Sequence, residues 1–222
     1  MLIPKTIHYV WLGRKPMHPL MDQWREGWAR LHPDWDIKIW TEGTDDSELT
    51  KGSQTMRSLH PHMLEKCCHL SQRSNIWRYE IVEQFGGLYL DTDFEPSRNV
   101  EPLIEDKAVF AGKYHWIESS KQVMKASCAL IGSVPHHPWL KDLVMNLEIK
   151  NPKQHGSLGN SYFTSITSQH PEVFLFEPHI FYPVRWDETD RYASPIPKTA
   201  YAVHRWSSRW FRQGFAPLAT TP

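Results

Sequence analysis

No stretch of apolar residues in this 222-residue chain approaches the roughly 20 that a helix needs to cross a bilayer. Cysteine is nearly missing as well. There are three, an odd number that fits no disulfide framework, and the adjacent Cys67 and Cys68 are poorly placed to bridge each other. Cys128 lies in an apolar stretch and reads as a buried thiol. Neither sign of charge is in excess, since Lys plus Arg and Asp plus Glu both number 25. That balance excludes the broad basic field of a nucleic-acid binder and the acidic surplus of a disordered chain, so any charge preference is local. Repeats and low-complexity tracts are absent too. The first residues run straight into a strand pattern without a signal-peptide pattern, and with the cysteine count this gives the expectation of a reducing, cytoplasmic setting.

What is present is a chain with 40% hydrophobic residues, long enough to bury a substantial core, and it reads as one domain over 1–222. Leu2 to Leu12 has the composition of a buried strand. Leu20, Trp24, Trp28 and Leu31 form a helical stripe after Pro19, and Trp35 to Trp40 reads as a second strand. The Gly, Asp, Ser and Thr cluster from Thr41 to Ser53 is a connection, and a helical region over His62 to Cys68 follows. Lys107 to Lys113, Ser127 to Ile131 and Val173 to Phe176 are strand candidates. Leu140, Leu143, Val144 and Leu147 mark a helix opened by Pro138, and another short helix begins near Asn160. Alternation of this kind predicts an α/β fold with a mixed, largely parallel sheet, whose ligands gather at the carboxyl ends of the strands.

The segment from Ser74 to Asp93 is the most informative. Ile76, Tyr79, Val82 and Phe85 share one helical face, while Asn75 and Arg78 project together from another and are free to reach a ligand. Gly86 and Gly87 supply a helix stop, after which Leu88, Leu90 and Thr92 alternate with Tyr89, Asp91 and Asp93. Two-residue periodicity sets Tyr89 and both aspartates on one side. Paired carboxylates at a strand end with an arginine nearby suit a divalent cation carrying a diphosphate. Taken alone, Asp-x-Asp equally describes a solvated strand end or a turn cap.

Ser74-Asn-x-x-Arg78 followed by Gly86-Gly-x-Tyr-x-Asp-x-Asp93 resembles the core motif of glycosyltransferase family 32, which includes fungal mannosyltransferases and relatives of the clostridial toxin glucosyltransferases. The run from Ile3 through Trp11 to Gly13 is similar to that family's opening strand. Phe181 to Pro183, and His204 through Trp206 to Trp210, are similar to its closing segments. Two departures stand out: the family usually carries Ser-Asp where this chain has Ser74-Asn75, and Thr-Gly-Pro is more usual near His155 to Ser161. Asn75 can bond sugar hydroxyls but brings no charge.

The resemblance implies a GT-A type fold, a Rossmann-like sandwich with a central mixed, mostly parallel sheet. It also implies a metal-dependent, retaining hexosyltransferase that uses a UDP- or GDP-sugar donor and a saccharide or glycolipid acceptor, as in polysaccharide or surface-glycan synthesis. Within that expectation Asp93 is the direct ligand of Mn2+ or Mg2+, Asp91 touches metal, its waters or ribose, and His204 is a third ligand, a phosphate contact or a packing residue. Arg78 reaches the donor or pairs with a neighbour such as Glu80, Tyr89 orients the sugar or Asp91, and Trp11 stacks on the base or fills the core. Trp206 and Trp210 belong to a closing lid. The tail from Arg209 to Phe215 could instead touch a membrane from its inner face. No side chain announces a covalent nucleophile, although an amide or carboxylate acting from the Gly156 to Ser161 loop stays open. A nucleotide-sugar hydrolase and a catalytically silent carbohydrate-binding relative are the alternatives.

Overall fold

A computed structural model describes residues 2–12, 16–41, 53–55, 57–149, 158–188 and 194–207. Its strands are β1 (Thr6–Val10), β2 (Asp36–Thr41), β3 (Ser53–Thr55), β4 (Gly87–Leu90), β5 (Phe94–Pro96), β6 (Val109–Glu118), β7 (Lys121–Ser133), β8 (Phe174–Phe176) and β9 (Ala202–His204). Its helices are α1 (Pro19–Leu31), α2 (Pro61–Lys66), α3 (Leu70–Phe85), α4 (Glu101–Ile104), α5 (Pro138–Met145), α6 (Asn160–Thr167) and α7 (Pro178–Phe181). None of the described helices is long and apolar enough to cross a membrane.

The main sheet runs β3-β2-β1-β4-β7-β6-β8, and only β7 runs against the others. The mixed, mostly parallel sheet expected from the sequence is therefore present. Period-two alternation divides the core between its faces. Ile7, Tyr9, Leu88 and Leu90 join Trp24 and Trp28 of α1 on one side, whereas Val10 and Tyr89 join Ile76, Trp77 and Tyr79 of α3 and Trp139 and Leu140 of α5 on the other. A small second sheet, β5 with β9, lies beside α1, and Trp28 Nε1 donates to the Phe94 carbonyl at 3.0 Å.

Three expectations need correction. The first strand is shorter than the apolar run from Leu2 to Leu12, because Pro4 interrupts the ladder and Trp11 already bonds only at its edge. The strand pattern drawn through Asp93 stops at Leu90; Asp91 to Asp93 forms a turn closed by the Phe94 amide on the Asp91 carbonyl at 3.2 Å. The segments 107–113 and 127–131 are parts of a long β6–β7 hairpin with a bulge at Ala111/Gly112. Its outer half is polar and half exposed, so it lacks the continuous apolar signal of a buried strand.

Helix α3 also differs from the two-faced helix expected. Every residue from Asn75 to Glu83 is buried, because α3 lies between the sheet, α5 and the chain before α2. Its end is set by Gly86 at φ 63° and Gly87 at φ 87°. A Cβ on Gly87 would stand 2.6 Å from the Thr6 carbonyl and 3.0 Å from His8 Nε2. The Gly86 carbonyl meets His8 Nε2 at 3.0 Å, while His8 Nδ1 accepts from Trp40 Nε1 at 3.1 Å, so neighbours fix the neutral imidazole tautomer.

Two measurements check this junction. Gly87→Ala combines a positive φ with a backbone clash and costs about 2–4 kcal/mol, read as a lower urea midpoint. Burial pushes His8 down to about 4, against the Gly86 carbonyl that favours its proton. The unfolded ring takes up a proton near pH 6.5, so the stability tied to the neutral ring is complete above that pH. It is lost as pH falls toward 4, by about 3 kcal/mol in all. His32, also pushed down by burial, acts in the same direction. His8→Gln therefore flattens the acid limb of stability between pH 6.5 and 4 without removing it.

Candidate active site

The site forms where the carboxyl end of β4 meets β9. Pairing of Phe94 with His204 brings the C-terminal strand against the acidic turn, and two further bonds lock it there: the Arg205 amide donates to the Asp93 carbonyl at 2.9 Å, and the Ser207 amide donates to Asp93 Oδ2 at 2.8 Å. His204 Nε2 then stands 3.0 Å from Asp93 Oδ1 and 3.9 Å from Asp91 Oδ2. One donor atom from each of Asp91, Asp93 and His204 lies within 4.8 Å of the others.

Asp91 is held from below. Arg78 Nη1 approaches Asp91 Oδ1 at 3.1 Å and donates to the Cys128 carbonyl at 2.9 Å, while Tyr89 Oη donates to Asp91 Oδ1 at 2.7 Å. The guanidinium sits 4.8 Å over the Tyr89 ring and also bonds Ser74 through Nε and Nη2. Burial is the largest influence and works against the Arg78 charge, but Asp91 together with the Tyr89, Cys128 and Tyr79 groups around it outweighs burial and holds the group protonated. Burial pushes the Tyr89 phenol well up, so it remains a donor. Burial also favours the neutral Asp93 acid, yet His204 and the hydrogen bonds from Ser207 overcome it and bring the carboxyl down to about 2. Asp91 and Asp93 thus differ: the first is half-exposed with one oxygen engaged, the second buried with one oxygen engaged.

The residues fit a divalent cation. Both ring nitrogens of buried His204 lack a hydrogen-bond partner among the described residues, and Nε2 stands close to Asp93 Oδ1 without the alignment of a hydrogen bond. Two donors bound at right angles about 2.1 Å from one cation stand about 3 Å apart, which is the spacing found here. Carboxylate oxygens with one imidazole suit Mn2+, and carboxylates suit Mg2+.

The other nominated residues lie as follows. Asn75 is buried beside Cys128, its Oδ1 3.9 Å from Sγ. Trp206 packs edge-on to His204 at 4.3 Å, donates through Nε1 to the Val184 carbonyl, and adopts φ 53°. Trp11 caps the end of β1 with its amide on the Trp40 carbonyl and packs against the core on the α1 side. Trp210, the tail from Arg209 to Phe215 and residues 155–157 lie outside the described residues. Arg78 pairs with Asp91; Glu80 is engaged instead by Ser58 and His60. Asn160, in the loop left open for an acting amide, accepts from the Cys128 amide at 2.9 Å and donates to Tyr114 Oη at 3.0 Å. Sequence reasoning missed Ser207, Tyr114 and the Cys128 carbonyl. Ser207 holds Asp93 through its backbone amide, and no residue type marks such a role.

A family model described as the glycosyltransferase sugar-binding region containing a DXD motif matches residues 20–110, which hold α1 to β5 and the whole acidic turn. Over 153 residues the chain is 28% identical to the mannosyl phosphorylinositol ceramide synthase CSH1 of Saccharomyces cerevisiae, a match that covers 66% of this chain and 36% of that one. The chain thus spans about a third of the length of such curated relatives. Among solved structures, the PaToxG glycosyltransferase superposes with TM-score 0.56 at 17% identity, over 76% of this chain and 70% of that one. The ligand-free glycosyltransferase domain of the YGT toxin gives 0.53 at 9% identity, over 78% and 80%. The two structures are alike in fold and bear out the GT-A class, while the family match bears out the resemblance read from the Ser74 to Asp93 segment.

If the three side chains share a cation, MnCl2 raises the melting temperature of the wild type in a saturable way. Asp93→Asn and His204→Ala each weaken that response at least about tenfold in Mn2+ concentration. An unchanged titration in both variants rejects the assignment.

Proposed function

We propose, on the premise that this chain is a glycosyltransferase of the DXD sugar-binding family, that it moves a hexose from a UDP- or GDP-sugar to a hydroxyl of a saccharide or glycolipid. The observation that carries the reading is the convergence of Asp91, Asp93 and His204 from two separate elements at the carboxyl end of β4, with ligand atoms within 4.8 Å of one another. Bound there, Mn2+ or Mg2+ offsets the charge gathering on the donor diphosphate as it leaves.

The chain's own groups set up that event. Arg78 and Tyr89 hold one oxygen of Asp91 and leave Oδ2 turned toward His204. The Ser207 amide does the same for Asp93, leaving Oδ1 beside Nε2. Such fixed donors need no reorganisation when charge develops. Trp206 covers the imidazole edge and keeps water from it, which limits hydrolysis of the donor. Asn75, uncharged, offers an amide to sugar hydroxyls. Transfer proceeds with retention by front-face displacement: the acceptor oxygen bonds to the anomeric carbon, the bond from that carbon to the diphosphate breaks, and the acceptor proton passes to the leaving phosphate. The names of the fungal relatives support a mannosyl donor and an inositol phospholipid acceptor as one choice to test.

The protein is incubated with Mn2+ and a panel of UDP- and GDP-sugars, GDP-mannose included, and free nucleotide is measured. Release stimulated by saccharide or glycolipid supports transfer. Rapid release that ignores any acceptor identifies a hydrolase, and saccharide binding without turnover identifies a silent relative. Asp93→Ala lowers turnover by at least about a thousandfold while the far-ultraviolet spectrum is unchanged.

A further inference from the structure

The β6–β7 hairpin outgrows the sheet to which it belongs. β4 pairs with β7 only from Leu130 to Ser133, and β8 pairs with β6 only from Phe110 to Gly112. Residues 113–118 and 121–126 therefore project as a two-stranded arm. Ser119 and Ser120, at φ 48° and 67°, reverse the chain in two residues with the handedness that suits twisted strands, so the tip is stiff.

Pairing of Tyr114 with Lys125 and of Trp116 with Val123 sets Tyr114 and Trp116 on one face of this arm. Along that face aromatic rings follow one another outward from the carboxylates. His204 meets Trp206 at 4.3 Å, Trp206 meets Tyr114 at 5.8 Å, Tyr114 meets Trp116 at 6.2 Å, and Trp116 lies against Trp186 at 5.0 Å. Core tryptophans such as Trp28 and Trp139 are wholly covered, whereas Trp116, Trp186 and Trp206 each keep surface in solvent. The row is thus a half-open ledge that starts at the acidic cluster.

Charge decides what the ledge suits. Lys125 is paired with Glu118 at 3.0 Å, Lys113 with Glu177, and Arg185 with Asp187 at 2.6 Å. An anionic lipid surface is drawn by a cluster of uncompensated cations, and here Lys113, Lys125 and Arg185 are compensated, which leaves Lys121 at the far end of the arm as a single cation without an acidic partner among the described residues. A neutral sugar asks for something else: a flat aromatic plane under its C–H face and a few polar groups at the rim.

We propose that Trp116 and Trp186 form an acceptor subsite, a ledge on which a pyranose ring of the acceptor lies while the hydroxyl to be glycosylated faces the Asp91–Asp93 turn. The proposal rests on the transfer reading above, and its test separates the two. Wild type, Trp116→Phe, Trp116→Ala, Trp186→Ala and Asp91→Asn are titrated with mannose, α-linked mannobiose, glucose, galactose and myo-inositol in the presence of Mn2+ and UDP or GDP. Saturation-transfer NMR reports binding, and thermal melts confirm folding. The ledge predicts that at least one saccharide binds wild type and Asp91→Asn alike. It also predicts a dissociation constant raised at least tenfold in Trp186→Ala and in Trp116→Ala, with Trp116→Phe between. Acceptor-free nucleotide release from the donor, measured on the same proteins without saccharide or added UDP or GDP, stays within twofold of wild type in the two Trp→Ala variants. Absence of saccharide binding to wild type, or equal binding by folded Trp116→Phe and Trp186→Ala, overturns the ledge. Absence of acceptor-stimulated nucleotide release in wild type defeats the transfer reading instead, whether or not a saccharide binds.

Discussion

The residues of α3 from Asn75 to Glu83 have no bulk water to share their charges, and much of the molecule is arranged to answer that. An unmatched ion in such a place costs several kcal/mol, so each needs a partner from another element. Arg78 finds Asp91 and the Cys128 carbonyl, Glu80 finds Ser58 and His60, and Glu83 finds His136. The first of these pairings sets the reactive geometry. With Arg78 fixed beneath it, the first aspartate cannot swing away from the second, and the turn keeps one face toward β9.

Position in the sheet does the rest. β4 is central, flanked by β1 and β7, so its carboxyl end opens at the middle of the sheet edge rather than at a margin. Two consecutive glycines with positive φ let the buried helix feed straight into that strand, and His8 reads the junction from β1 through the Gly86 carbonyl. The site is therefore anchored on rigid elements on its N-terminal side, and the C-terminal segment supplies the imidazole.

Much of this could be read from local sequence. The stripe of Leu20, Trp24 and Trp28, the Pro138 helix start, the glycine pair and the alternation of Leu88, Tyr89 and Leu90 are short-range signals of periodicity and backbone freedom, and they gave their elements to within a few residues. What escaped depends on distant partners. The outer half of the hairpin is half exposed and mixes polar with aromatic residues, so it leaves no continuous apolar signature. The enclosure of α3 cannot be seen in a helix whose polar residues look like a solvent face until their partners are known. Only family likeness points to His204, because nothing in the Ala202–His204 tripeptide announces that it will pair with Phe94. The Ser207 amide carries no side-chain signal at all.

The pairing of β5 with β9 has a bearing on biosynthesis. Asp93 and Ser207 are 114 residues apart in sequence, yet they share a hydrogen bond. Most of the sheet belongs to segments that leave the ribosome well before Ala202 does, and domains begin to organise as they emerge. A nascent chain arrested ahead of that strand can bury its first hydrophobic layers and still present a bare pair of aspartates, with neither the imidazole nor the amide that restrain them. Competence thus waits for the Ala202–His204 strand to emerge, and a chain that stops short of it is a scaffold without its chemistry.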